Sequence, residues 1–556
     1  MVYYIENIRF TSPARQTGRK DAETDTGTNP PAPSEAVWAA DGSKPPDPKN
    51  REGRGSMQAM QALREQLTRK LPQILFVFCI LQPILDMIGF WQVKLSVPNE
   101  FTLIIRMLML VLTVSLGLLL SRRRGLFLLA LGVMIAYLAA HTAAGVAYGD
   151  ADSLEDLAEQ VRILSLPLMT ICFIAFFRCS REAFSAVKTA VVVNLGIILL
   201  SELLATLTGT DPHTYKDKGI GVLGWFSWAN SQSAILSLAV PVAIAWAYSR
   251  KRRRLPVFLA VCLIGFGMEF FVATRLAYLT LAATGLGLAV CIVIADRAQW
   301  RYALSVLLCA AVFLALFPVS PMRKNRDLVN QNAAIKQERL SAAAAEFGVP
   351  PEARSTRNLQ ALAAVYRYDL QGMVDRFGLE RTAESYGYSI DQAKVFDRRL
   401  KQVQFCRLLM QDAGAANRLF GLPIGAMRCE TLLYDFHTDT WQPGTETFDA
   451  ERDIISIYYE CGLVGLLLLA GFLLWFLLRA LLALFRSRAV FTVDYAAFCA
   501  AFVFAAVYAA NTISVLRRNN ASIYLALVLA GIWHLTRRDA LEPSVPVADP
   551  HASLQG

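Results

Sequence analysis

The chain has 556 residues, 55% of them hydrophobic and only 18% charged, with a mean hydropathy of +0.38. That apolar content exceeds what a water-soluble chain of this length carries, and it excludes a soluble enzyme. The net charge of +10 is not read as nucleic-acid binding, because in a membrane protein an excess of Lys and Arg first marks the loops that stay in the cytoplasm.

Residues 1–56 are rich in Pro, Gly, Thr and charges, which predicts a disordered cytoplasmic tail. Met57–Leu71 (MQAMQALREQLTRKL) has helical periodicity and a basic end, the pattern of an interfacial amphipathic helix. Apolar stretches follow at 72–91, 101–120, 126–147, 161–177, 184–206, 229–248, 256–273, 276–295, 302–320, 454–478, 495–514 and 521–536. Each is long enough to cross a hydrocarbon core of about 30 Å as a helix. The expected fold is all-α: a polytopic membrane protein of about 12 transmembrane helices, nine of them in 72–320 and three in 454–536. A large helical extracytoplasmic cap is expected over 321–453, with helices at 325–347 and 391–412, and a cytoplasmic tail over 537–556.

The basic clusters Arg122–Arg124, Arg178 with Arg181, Arg250–Arg254, Arg297 with Arg301, Arg479 with Arg486 and Arg488, and Arg537 with Arg538 all fall on one side of these spans. That side is assigned to the cytoplasm, so both termini face it. The acidic loop Asp150–Glu159, the loop 207–228 and the cap then lie outside. Seven of the ten cysteines sit in apolar runs as small core residues. Cys406 and Cys429 lie in the cap, where they either pair or remain thiols. No Cys or His spacing of a zinc site occurs, and neither a metal nor a cofactor is expected.

Cations at the outer ends of spans are not needed for topology and are costly if they face lipid. Arg106, Arg162, Arg275, Arg517 and Arg518 occupy such positions. Singly, each reads as a snorkelling or ion-paired residue. Together they suggest an anion, and in a site open to lipid that anion is a phosphate or diphosphate on a polyprenyl carrier, with Lys216 and Lys218 adding point charges. After the cap, Glu451 and Asp453 straddle the membrane entry, and Glu460 follows about two and a half turns later. These carboxylates either pair with the outer arginines and stabilise a helix N-terminus, or supply a general base for an attacking sugar hydroxyl.

The segment ERDIISIYYECGLVGLL (451–467) resembles the motif that follows the large outer loop in the O-antigen ligase and polysaccharide polymerase superfamily. That motif reads His-Asn-x-Tyr-Leu and then Ala-Glu-x-Gly-Leu-x-Gly. Glu460, Gly462 and Gly465 fall on its second half, which gives them site-supporting roles. Glu451 falls where the histidine stands, as in the Glu-Met-Asp variant of Gram-positive relatives. LQPILD (81–86), TYKDKGIGVLGWFSWANSQSAILSLAVP (214–241) and TRLAYLTL (274–281) follow in the family's order, and the resemblance covers about residues 72–536.

The resemblance implies a GT-C-like glycosyltransferase of the cytoplasmic membrane that acts in cell-surface polysaccharide biosynthesis. Its donor is a glycan on undecaprenyl diphosphate, and its acceptor is a hydroxyl of a glycan, lipid or cell-wall component on the outer face. It needs no metal. Arg275, at the family's hinge position, is the implied diphosphate ligand, followed by Arg162 and Arg106. The base role passes to Glu451, with Asp453 beside it and His437 in FHTDTW as the alternative. Ligase and polymerase share this pattern. A polysaccharide or lipid-linked oligosaccharide flippase is the rival; it calls for inverted repeats and mid-membrane charges, of which Glu202 and Glu269 are the candidates.

Overall fold

The computed structural model describes residues 48–97, 100–149, 153–250, 255–435, 440–448, 451–512 and 514–537. His437 and the expected tail segments 1–47 and 538–556 lie outside the described residues. Met1–Leu67 and Thr68–Gly556 form separate compact units. In the first, the described residues are helical from Pro48 onward, so the end of the expected disordered tail is helix.

Among the described residues, nine α-helices precede the insertion: α1 (Pro48–Lys94), α2 (Glu100–Leu120), α3 (Arg124–Tyr148), α4 (Ser153–Cys179), α5 (Arg181–Leu207), α6 (Ala229–Ser249), α7 (Leu255–Phe271), α8 (Arg275–Ala295) and α9 (Trp300–Ala315). The insertion holds α10 (Pro321–Ala345), α11 (Leu359–Tyr366), α12 (Gln371–Phe377), α13 (Leu379–Ser385), α14 (Gln392–Val395), α15 (Arg398–Asp412) and α16 (Ala415–Phe420), then strands β1 (Arg428–Asp435) and β2 (Thr440–Thr447). Three helices close the chain: α17 (Asp453–Arg486), α18 (Val493–Asn511) and α19 (Asn519–Leu535). Every apolar stretch expected to span is helical. Among the described residues, ten helices are long and apolar enough to cross a membrane, and α7 is a shorter apolar one. The all-α, polytopic architecture holds.

The centre of the helical domain is α6, whose sequence ANSQSAILSLAVPVAIAWAYS is almost wholly buried against α5, α7, α8, α18 and α19. Its Ala and Ser residues let neighbouring backbones approach, which is how helices gain packing energy where lipid tails are as apolar as the side chains. α2 instead exposes Ile104, Leu108, Val111 and Leu112, a surface suited to lipid. On the face away from the insertion, the guanidinium groups of Arg178, Arg479 and Arg537 converge on Trp533 at 5.2, 5.6 and 5.2 Å.

Three local readings are corrected. The insertion is not purely helical, because β1 and β2 form an antiparallel hairpin with Tyr434 opposite Trp441; the threonines and aromatics of these strands suit a pleated surface. The helix expected at 391–412 is broken at Asp397, whose carboxylate accepts from the N–H groups of Arg399 and Leu400 and so starts α15 afresh. Most of the acidic loop is helix, since α4 begins at Ser153 and carries Glu155 and Asp156 in its first turn, where the helix dipole favours them. The insertion has its own core around Leu362, Tyr366, Met373, Phe405 and Phe448. Cys406 and Cys429 are not disulfide-bonded, and Cys406 is buried with its Sγ donating to the Phe448 carbonyl at 3.4 Å.

Candidate functional site

The segment after the insertion is built around a break. Within α17, Gly462 has φ 67° and ψ −174°, a conformation that only glycine adopts without strain. A Cβ there would stand 2.4 Å from the Leu419 carbonyl, and a Cβ on the facing Gly421 (φ 103°) would stand 2.0 Å from the Glu460 carbonyl. Two backbones therefore touch at a pair of glycines. The break strips the last carbonyls of the preceding turn of their helical donors, and each finds another. Leu422 N–H donates to Tyr459 O at 2.8 Å, Gln160 Nε2 to Glu460 O at 3.0 Å, and the Tyr137 hydroxyl to Cys461 O at 2.9 Å. Gly465 leaves room for the Tyr137 hydroxyl, which a Cβ would approach to 2.8 Å.

This break aims two buried carboxylates at one arginine. Glu460 Oε1 accepts from Arg517 Nη1 at 3.1 Å and from the Ser456 hydroxyl one turn away. Arg517, 6% exposed, also lies 3.6 Å from Glu159 Oε2, and Glu159 in turn pairs with Arg162. Asp453 is fully buried at the first turn of α17. Its Oδ2 accepts from the N–H groups of Ser514, Val515 and Leu516 at 3.3, 2.8 and 2.9 Å, while Oδ1 has no hydrogen-bond partner among the described residues. The Arg517 charge reaches Asp453 too. Among the described residues, Arg517 and Arg162 thus face the carboxyl groups of Glu159, Glu460 and Asp453.

A second group forms at the turn between α7 and α8. Arg275 is the first residue of α8, behind the N-cap Thr274, whose hydroxyl accepts from Ala277 N–H. The loop 208–228 is strapped to this turn: Val222 N–H donates to Phe271 O at 2.9 Å and the Thr214 hydroxyl to Val272 O at 2.8 Å. It carries Lys216, which is exposed, and Lys218, whose Nζ donates to Asn325 Oδ1 at 3.0 Å at the start of α10. Asn325 also meets the Tyr215 hydroxyl; burial pushes that phenol up, while the nearby Arg275 charge pulls it the other way. Arg275 is exposed and makes no ion pair among the described residues.

The structure thus brings Glu460, Asp453 and, through Glu159, Arg162 to Arg517, with Gly462 and Gly465 at the break beside Gly421 and Tyr137, and it brings Lys218 and Tyr215 to Asn325, with Arg275 near Tyr215 and Lys216 next to it in the chain. It does not bring Arg106 or Glu451 to either group. Arg106 pairs with Asp86 at 2.6 Å. Glu451 faces the insertion, its two oxygens taken by Arg398 at 3.2 Å and Arg399 at 3.3 Å.

Sequence reasoning counted Arg517 among the outer cations that suggest an anion, and did not foresee its pairing with Glu460. It missed a buried pair altogether: His141 Nε2 lies 2.7 Å from Asp156 Oδ2, its Nδ1 lies 2.6 Å from Phe420 O, and Asp156 Oδ1 accepts from Ile424 N–H. These bonds tie the ends of α3 and α4 to the segment bearing Gly421. A histidine inside an apolar run was the available signal. A family model described as "O-antigen ligase like membrane protein" matches residues 68–535. No curated protein matches the chain.

Proposed function

The chain belongs to the O-antigen ligase like membrane protein family, a family of membrane-bound, glycan-transferring enzymes, and we propose that it transfers a glycan from a polyprenyl (undecaprenyl) diphosphate to an acceptor hydroxyl outside the cytoplasmic membrane. One observation carries the assignment of the diphosphate. Of the cations singled out in the sequence, Arg106 and Arg162 are already neutralised by Asp86 and Glu159, whereas Arg275 and Lys216 are exposed and make no ion pair among the described residues. A guanidinium on the first residue of α8, at the positive end of that helix, is suited to an anion. Lys218 adds charge from the same loop.

In this reading the acceptor oxygen attacks the anomeric carbon as the bond from that carbon to the diphosphate oxygen breaks, inverting the centre in a single displacement. Negative charge growing on the departing diphosphate is met by Arg275 and the two lysines, already in place. The acceptor's proton goes to a carboxylate of the 451–453 segment. Asp453 is favoured over Glu451, because three N–H groups fix one of its oxygens and leave the other free, while both Glu451 oxygens are engaged by arginines. The loop 514–516 covers Asp453, so an acceptor reaches it only when that loop moves.

The test is mass spectrometry of lipid-linked glycans, with a size profile of surface polysaccharide, in host cells carrying R275A, D453N or E451Q at matched membrane levels. R275A and D453N are expected to accumulate diphosphate-linked donor, and E451Q to behave as wild type. Accumulated single repeats indicate a polymerase, and long lipid-linked chains a ligase. Unchanged profiles in both R275A and D453N refute the proposal.

A further inference from the structure

Six oxygen-bearing side chains from four helices and the α7–α8 turn form an unbroken line inside the helical domain. It starts at Glu269 on α7, which is 0% exposed. Glu269 Oε1 accepts from the Thr280 hydroxyl at 3.4 Å, and Oε2 has no partner among the described residues. Thr280 Oγ1 is 2.8 Å from Ser237 Oγ, which is 3.0 Å from the Tyr508 hydroxyl. Tyr508 is 2.5 Å from Ser233 Oγ, and Ser233 is 2.5 Å from Thr274 Oγ1. Thr274 caps α8 immediately before Arg275. All these residues are buried.

A carboxyl with no cation beside it, enclosed by helices in a membrane domain, is costly as a bare charge and marks a functional position. Among the described residues no cation pairs with it. Against α7, α6 presents Ser233 and Ser237, α8 presents Thr280 and Thr284, α9 brings Cys309 to Cys262, α18 brings Tyr508, and α5 carries Glu202, which lies beside Gly224 and Asp211. The Glu269 charge reaches the phenol of Tyr508. Ser237 also lies 2.9 Å from the Ser233 carbonyl and Thr280 3.1 and 3.0 Å from the carbonyls of Leu276 and Ala277, so each must turn from its own helix to donate along the line; when they do, each hydroxyl both donates and accepts and the line has two directions. With Glu269 ionised, hydroxyl protons point from Thr274 toward it. With a proton on Glu269 they point from it toward Thr274.

We propose that Glu269 is an internal proton-binding site, connected through Thr280, Ser237, Tyr508 and Ser233 to the cap of α8, and that a proton there and a diphosphate at Arg275 favour one another. The sign follows from charge. A proton on Glu269 removes a negative charge from beneath the turn that holds the anion, and by linkage the anion then favours the proton. The proton half stands on the hydroxyl line alone; the anion half rests on the proposed function.

The experiment uses the full chain in detergent micelles, with infrared difference spectra of the protonated carboxyl band across pH and binding of farnesyl diphosphate as the probe at each pH. The wild type should show a titrating carboxyl band that is absent from E269Q. Its affinity for the probe should fall several-fold more steeply with rising pH than that of E269Q, a comparison in which the probe's own titration cancels. Y508F, which interrupts the line but keeps the carboxyl, should retain the band and exchange its proton more slowly. A wild-type band identical to that of E269Q overturns the proton site. Parallel affinity profiles for the two proteins overturn the coupling. A probe that fails to bind wild type at any pH, with the Glu269 band still titrating, overturns the anion site and the coupling while supporting the proton site.

Discussion

Replacing Gly462 with Ala tests whether the break in α17 builds the site. At φ 67° and ψ −174° an alanine is strained by about 1–3 kcal/mol, and its methyl would lie 2.4 Å from the Leu419 carbonyl and 2.5 Å from Gly421 N. Both of those atoms are backbone and have no rotamer by which to yield. The helix can escape only by straightening, and then the donors on Leu422, Gln160 and Tyr137 lose the carbonyls of Tyr459, Glu460 and Cys461. A typical hydrogen bond contributes about 1 kcal/mol, and a buried donor left unpaired costs about 1–3 kcal/mol. Either route costs about 3 kcal/mol, and straightening also turns Glu460 away from Arg517. The assay is thermal unfolding of the purified protein in detergent, alongside glycan transfer in cells. G462A should lower the midpoint and abolish transfer, and G421A should do the same. Wild-type stability and transfer in G462A would refute the reasoning, because a side chain would then fit where two backbones touch.

Other changes separate the roles of the charges. Arg517→Met leaves the buried Glu460 without this cation, while the half-buried Glu159 keeps Arg162, and breaking a buried pair from one side costs about 3–5 kcal/mol; a large loss of thermal stability is expected, with R517K intermediate. Glu451→Gln removes two partly exposed ion pairs with Arg398 and Arg399, and its unfolding midpoint should stay close to wild type, since such pairs contribute about 0–1 kcal/mol. In the insertion, the hydrogen bond from Arg381 holds the Asp412 carboxyl below its usual range. A depressed carboxylate contributes stability above its unfolded pKa and loses it as pH falls through the folded value. D412N should therefore match wild type in limited proteolysis of the insertion at strongly acidic pH and be cut slightly faster near neutrality, the effect being small because the pair is exposed.

Apolar run length was enough to find the helices, because only a helix satisfies its own backbone in lipid. The places where the reading went astray are those where a side chain overrides a local pattern: Asp397 restarting a helix, Glu155 and Asp156 sitting in a helix rather than a loop, and the Tyr434–Trp441 pair closing a hairpin. The site was legible as residue types and not as partnerships. Glu460, Gly462 and Gly465 could be marked from a motif, but their partners Gln160, Tyr137 and Gly421 come from other parts of the chain, and nothing local in ECGLVG names them. The arginines show the same limit. Arg106, Arg162 and Arg275 look alike in sequence, and only folding brings Asp86 to the first and Glu159 to the second while leaving the third open.

That difference also explains why two charged groups stand at one end of the same bundle without collapsing into one. α18 runs between them. Its Tyr508 reaches Ser233 and, through that serine, the cap of α8. One turn later Thr512 accepts from Asp453 N–H, and the loop that follows fixes the Asp453 carboxylate. A rotation of this helix end by a fraction of a turn would move both contacts together, so the cationic turn and the buried carboxylate are mechanically joined through one element. Tyr508→Phe cuts the link on one side only. It keeps the ring that packs and loses the hydroxyl that joins α18 to Ser233, so donor affinity at the turn should change while the stability contributed by Asp453 does not. Equal losses at both ends would mean that α18 positions them as rigid packing, with the hydroxyl serving neither.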